Sequence, residues 1–204
     1  SIGEDGPSQM GLEDLACFRA IHGSTVLYPS DPNQTAALVA AMADASGIRY
    51  LRTTRGALPT IYGADESFTI GGAKVVHQSD DDAVCLVGAG ITLHEALKAA
   101  ETLGAEGINA RVVDAYSVKP IDADTLRSSA AAAHNRVIVV EDHWAEGGLG
   151  DAVREVFADS DVHTRVVGLA VTEMPGSGTP EAVVAAAGID ADSIASAARK
   201  LVGG

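Results

Sequence analysis

At 204 residues, with 47% hydrophobic residues and a mean hydropathy of +0.15, the chain has enough apolar mass for one large domain or two small ones, which excludes global disorder. Its 28 acidic residues against 14 Lys plus Arg leave a formal net charge of −14, a surface that repels nucleic acid and anionic lipid, and no apolar run approaches a bilayer span. A phosphate site on so acidic a chain needs local arginine, which makes the positions of the few arginines informative.

Near the start, Gly3-Glu4-Asp5-Gly6-Pro7-Ser8-Gln9-Met10 describes a tight, rigid loop. Gly6 reaches backbone angles closed to other residues and Pro7 fixes the next turn. Residues 11–21 have helical spacing, with Leu12, Leu15 and Ala16 on one face. Asp5 and Gln9 then sit at the mouth of a helix, where polar side chains can be aimed at a ligand; taken alone, an ordinary turn is the plainer reading. Thr25-Val26-Leu27-Tyr28 is a short strand ended by Pro29. A helix follows, with Asp31 as N-cap, Pro32 in the first turn and Gln34 reaching back as in a capping box. Ala37, Leu38, Ala41 and Met42 form its apolar stripe, Gly47 is a plausible stop, and residues 48–53 read as the next strand. A helix between parallel strands is the doubly wound pattern.

From Leu58 to about Asp82 the pattern weakens to a connector with one strand near Ala73-Lys74-Val75-Val76, and the domain boundary is expected there, dividing 1–75 from 76–204. Ala83 to Val87 is a strand buried on both faces, broken by Gly88-Ala89-Gly90. Thr92 to Glu95 reads as a capping box opening a helix through about Leu103. Residues 110–115 form a strand, Asp122 caps a helix to about Ala133, and residues 136–141 form the next strand. A Gly-rich turn leads to a helix from about Leu149, residues 164–169 form the last clear strand, and helices start at Pro180 and Asp192. The expected fold is α/β, with doubly wound, mainly parallel sheets and a compact five-stranded second domain. Cys17 and Cys85 are lone thiols in apolar patterns, read as buried small hydrophobes in a reducing compartment.

Arg52 and Arg55 follow a strand, at the end where open α/β sheets bind ligands; spacing alone leaves them equally readable as surface arginines. Gly88-Ala89-Gly90 lacks the full dinucleotide spacing, so a structural turn is favoured over an anion cradle. Glu141-Asp142-His143, before Gly147-Gly148-Leu149-Gly150, suggests a catalytic or metal site, yet three adjacent residues cannot all converge on one ion. A satisfied histidine at a domain or subunit contact is the favoured reading. The remaining histidines show no ligand spacing, and Trp144 reads as a packing anchor.

In combination these motifs resemble the second half of the transketolases, thiamine-diphosphate enzymes of pentose phosphate metabolism. The likeness runs through Glu4-Asp5-Gly6-Pro7-Ser8-Gln9-Met10, Leu12-Glu13-Asp14-Leu15-Ala16, Tyr28-Pro29-Ser30-Asp31, Arg52-Thr53-Thr54-Arg55, Gly88 to Ala96, Val118-Lys119-Pro120-Ile121-Asp122 and Val140-Glu141-Asp142-His143. It implies the rear of a pyrimidine-binding domain followed by the C-terminal domain, a fragment of a cytoplasmic homodimer that acts on sugar phosphates. By this resemblance Arg55 grips the substrate phosphate and Asp5 accepts from a substrate hydroxyl. Gln9, where many members carry His and the animal type carries Gln, faces the cofactor. Gln can donate and accept hydrogen bonds but cannot shuttle protons. The glutamate that activates the cofactor and the ligands of the diphosphate and its Mg²⁺ (or Ca²⁺) are expected upstream of Ser1. The chain then holds no catalytic or metal residue of its own, and the 204 residues alone are expected to be inactive. Deoxyxylulose-phosphate synthase and 2-oxo acid dehydrogenase β chains share the general Gly-rich motif, but the run from Glu4 to Ala16 favours transketolase. An inactive assembly or regulatory module is the rival of a different class.

Overall fold

The computed structural model describes residues 3–203. Two 3-10 turns, Gly3–Asp5 and Pro7–Gln9, precede α1 (Asp14–Arg19). There follow β1 (Thr25–Leu27), α2 (Pro32–Asp44), β2 (Arg49–Leu51), β3 (Lys74–His77), β4 (Val84–Gly88), α3 (Ile91–Ala105), β5 (Ala110–Asp114), β6 (Ser117–Lys119) and α4 (Ala123–Ala132). β7 (Arg136–Trp144), α5 (Leu149–Phe157), β8 (Arg165–Val171), α6 (Pro180–Ala186) and α7 (Ala191–Gly203) complete the chain.

The larger sheet has five strands in the order β3-β5-β4-β7-β8, parallel except for β3 against β5. All of β4 is buried, because helices cover both faces of the parallel part. On one face Leu93, Ala96 and Leu103 of α3 meet Ile194, Ala198 and Leu201 of α7; on the other, Leu126 of α4 and Val153 of α5 join Leu15, Val26 and Tyr28 from the first quarter of the chain.

The smaller sheet is β2-β1-β6. β1 and β2 are parallel across α2, as the alternation predicts, but β6 pairs antiparallel with β1 and was not expected. Three residues carry no readable periodicity, and the partner strand lies some 90 positions away, so only packing could assign it. Lys119 at its end donates to the carbonyls of Arg19 (2.7 Å) and Ile21 (2.7 Å), closing the C-terminus of α1.

Local capping departs from expectation twice. Asp31 accepts from Gln34 N at 2.7 Å, as an N-cap should, but the Gln34 side chain takes Ser30 N (2.6 Å) and donates to Asp114 (2.8 Å). Thr92 and Glu95 form no capping box, because α3 starts a residue earlier at Ile91. Thr92 Oγ1 instead bonds Val140 O at 2.9 Å, and Glu95 accepts from Ala191 N at 3.0 Å. Gly90 makes that start possible: its φ is +58°, and a Cβ there would overlap the Tyr28 ring. Cys85 is buried as expected, and burial pushes its thiol up to about 12. Cys17 is exposed, contrary to expectation, since α1 turns Leu15 inward and position 17 outward.

Candidate active-site cleft

The opening loop is fixed by backbone rather than side chains. Gly3 O accepts from Gly6 N (3.2 Å) and Gly178 N (3.4 Å), and Gly6 O accepts from Gln9 N (3.2 Å). Gly3 and Gly6 both have positive φ and lie against Pro180 and Ser177, so the loop rests on the segment that leads into α6. On this platform Asp5 forms an ion pair with Arg55, which stands four residues beyond β2. Their side chains remain 39% and 65% exposed, so both are open to a ligand. Gln9 ends the second turn, also exposed, and its amide has no partner among the described residues. The structure thus joins Asp5 to Arg55 directly and places Gln9 on the same short loop.

Beside Arg55 opens a cleft of about 1010 Å³; of the three expected site residues Arg55 alone lines it, and Asp5 and Gln9 do not. Glu4, Thr54 and Arg55 line one side, His94 and Lys98 of α3 another, and Val184 of α6 a third. His94 Nε2 is held by Ser30 O at 2.7 Å. Neither His94 nor Glu4 was singled out as a site residue, although both fall in runs of family-like sequence; a lone histidine on a helix and an acid in an acidic chain are unremarkable until the fold brings both to one cleft.

Arg52 behaves quite differently from Arg55. It is 8% exposed and lies between Asp14 Oδ1 (2.9 Å) and Asp142 Oδ1 (3.0 Å), also donating to Gly11 O. Its guanidinium stacks 4.9 Å above the Tyr28 ring, and Tyr28 Oη donates to Asp142 Oδ2 at 3.0 Å. Burial acts to depress the Arg52 pKa, but Asp142, Tyr28 and Asp14 outweigh it and hold the guanidinium charged. Arg52 is a buried clamp between the first turn of α1 and the end of β7.

Glu141-Asp142-His143 accordingly point three ways. Asp142 meets Arg52 and Tyr28. His143 donates from Nδ1 to Trp144 O (2.7 Å) and accepts at Nε2 from Ala16 N (3.3 Å), so both ring nitrogens are satisfied at the contact with α1. Glu141 Oε1 accepts from Gly150 N at 3.0 Å at the start of α5, while Oε2 is buried with no partner. Burial lifts this carboxyl to about 7, against the N–H groups of Gly150 and Leu149. A second buried acid, Asp114, accepts from Tyr62 Oη (2.6 Å), Gln34 Nε2 (2.8 Å) and Ser30 Oγ (3.1 Å). Desolvation raises it to about 6 in spite of those donors. Among the described residues no three His, Cys, Asp or Glu side chains gather as a metal site would need; these two constellations instead fasten the first part of the chain to the five-stranded sheet.

Comparison with known proteins fits this arrangement. Residues 71–194 match the family model described as "Transketolase, C-terminal domain", and residues 1–60 match "Transketolase, pyrimidine binding domain". Human transketolase is 49% identical over 202 residues, covering 99% of this chain, and mouse transketolase-like protein 2 is 49% identical over 203 residues. The chain spans 32% of the length of each of these two relatives. Among solved structures, one described as "Split gene transketolase, inactive beta4 tetramer" superposes with a TM-score of 0.87 and 36% identity, covering 97% of this chain and 63% of that one. A Pichia stipitis transketolase in complex with sedoheptulose 7-phosphate superposes at 0.78 with 22% identity over 98% of this chain and 28% of its own, a likeness of fold alone.

Proposed function

Since the chain belongs to the transketolase family, we propose that it forms the rear third of a thiamine-diphosphate-dependent transketolase, with residues 1–75 completing a pyrimidine-binding unit and 76–204 forming the C-terminal one. The reaction is transfer of a two-carbon ketol unit from a ketose phosphate such as xylulose 5-phosphate to an aldose phosphate such as ribose 5-phosphate, in a cytoplasmic homodimer. The observation that carries this reading is the Asp5–Arg55 pair, which ties a loop of family sequence to an arginine that lines a large cleft.

The residues present fit one flank of the cofactor. Gln9 exposes an amide on the loop that carries Asp5, free to donate and accept without carrying charge. When bound, thiamine diphosphate supplies the carbanion chemistry that breaks and remakes the sugar's carbon–carbon bond. Its metal, Mg²⁺ or Ca²⁺, takes ligands from outside residues 1–204. Arg55 binds the substrate phosphate by paired, charge-assisted bonds, for which the Asp5 carboxylate is a weaker, solvent-exposed stand-in. As Arg55 turns to the phosphate it releases Asp5, whose oxygens then accept from sugar hydroxyls. Phosphate recognition and hydroxyl selection are thereby linked through one ion pair.

The test is an assay of the chain combined with a partner that supplies the upstream portion. Xylulose 5-phosphate with ribose 5-phosphate should turn over and pyruvate should not; turnover of pyruvate instead would assign the chain to a different thiamine-diphosphate enzyme. The name of the split-gene neighbour, an inactive tetramer, favours a second statement: residues 1–204 alone bind little cofactor and show no activity. Calorimetry with thiamine diphosphate and Mg²⁺ checks it, and turnover by the isolated chain would refute it.

A further inference from the structure

A second groove, of about 670 Å³, lies between β8 and α7, on the face of the sheet shared with α3. β8 is an edge strand of the larger sheet. Val166 packs toward α5, whereas Val167 and Leu169 face the opposite side, where α7 lies over β4 and β7 and leaves β8 half-covered. The groove therefore has an apolar floor, and Ser193 and Ser196 line its α7 wall.

Its charges are unusual for this chain. Among the described residues every Lys and Arg side chain has an ion pair or hydrogen bond, except Arg165 and Lys200, and both of these line the groove. They lie at the same end of it. α7 starts beside α3, where Ala191 N meets Glu95, and finishes beside the end of α3, where Arg199 meets Glu106 at 2.7 Å. α3 leaves the carboxyl end of β4 and runs back, so Lys200 reaches the amino ends of the strands, where Arg165 opens β8. Asp192 also lines the groove, but from the first turn of α7, at the opposite end from Lys200, so on a chain of net charge −14 the end that holds Arg165 and Lys200 keeps a local positive potential.

We propose that this groove binds a small ligand with an anionic head, phosphate or carboxylate, and a compact apolar body. The head lies between Arg165 and Lys200, the body covers Val167 and Leu169, and the Ser193 and Ser196 hydroxyls fix its orientation. The volume falls in the range of small-molecule sites. The site is separate from Asp5, Gln9 and Arg55, and it holds whatever the outcome for the catalytic reading.

Calorimetric titration of the 204-residue chain tests it, performed in an Arg55→Ala background so that the first cleft contributes no phosphate signal. Phenyl phosphate, benzoate and inorganic phosphate are the probes. One-site binding of phenyl phosphate or benzoate is expected, with inorganic phosphate at least about tenfold weaker for want of an apolar body. The stronger of the two organic probes identifies the head. Arg165→Gln combined with Lys200→Gln should weaken binding about tenfold or more, and Ser196→Leu, which fills the groove and leaves both cations, should weaken it too. Arg199→Gln, one position away and outside the groove, should bind as the parent does. Failure of both organic probes to saturate, inorganic phosphate binding as tightly as phenyl phosphate, or a double variant of parental affinity and parental melting temperature would overturn the proposal.

Discussion

Arg52 and Arg55 stand three residues apart in one segment, and the fold gives them opposite fates. Arg55 is 65% exposed at its side chain and paired with an acid that is itself partly open, an interaction worth about 0–1 kcal/mol. Arg55→Ala in the assembled enzyme should raise KM for phosphorylated sugars by roughly ten- to a hundredfold, on the scale of a lost charge-assisted bond, and leave unphosphorylated substrates nearly unchanged. Equal effects on both would remove Arg55 from the phosphate site. Asp5→Ala should relax selection among hydroxyl configurations and, by freeing Arg55, tighten competitive inhibition by inorganic phosphate. Unaltered selectivity and inhibition would separate Asp5 from that role. Arg52→Ala, in contrast, should act on stability, costing about 3–5 kcal/mol by stranding Asp14 and Asp142 in the interior, as a fall in unfolding midpoint would report. From spacing both arginines read as residues at a strand end, and this much holds; that one is a ligand candidate and the other a buried clamp depends on Asp142, 90 residues away, which no local pattern reveals.

At the scale of elements, strand and helix identities followed from apolar runs and caps, because those signals are local. The turn between β4 and α3 shows the boundary of that reasoning. Gly88-Ala89-Gly90 announces a turn, but its purpose is to pass the Tyr28 ring, which belongs to the other sheet's connection. Gly90→Ala forces a side chain into a positive-φ position and against that ring, and should destabilise the fold by about 2–5 kcal/mol. An unchanged chemical unfolding midpoint would contradict the packing described. The start of α5 makes a pH prediction. Glu141 is raised from 4.5 to about 7, so the folded state holds its proton more tightly than the unfolded chain does. Its stability contribution is full below pH 4.5 and is lost as pH climbs through about 7. Unfolding midpoints should accordingly fall between pH 5 and pH 8, and Glu141→Gln, which keeps the shape without the titration, should flatten that slope.

Across the whole molecule, the joint between the two sheets combines the shared apolar face of Leu15, Val26 and Tyr28 with polar fastenings. Asp114 at the end of β5 collects Ser30, Gln34 and Tyr62; β6 leaves its neighbours to pair with β1; and the Arg52 cluster closes the far side. Because Asp114 is raised from 3.8 to about 6 by burial, it adds to the same loss of stability with rising pH, on the order of 3 kcal/mol at most. Asp114→Ala leaves three donors without an acceptor and should unfold the chain in one lowered transition if the joint unites both sheets; two separate transitions would show instead that each unit melts alone. The sequence by itself determined the α/β alternation, the mainly parallel five-stranded core and the family, since these rest on short-range periodicity and on runs of family-like sequence. Only the tertiary structure decided which acids and bases are solvent-facing, that β6 completes the first sheet, that Asp5 meets Arg55, and that two cations are left without partners over an apolar groove. Such facts arise when segments distant in the chain come into contact, where burial and distance set the energy and spacing along the sequence carries no information about either.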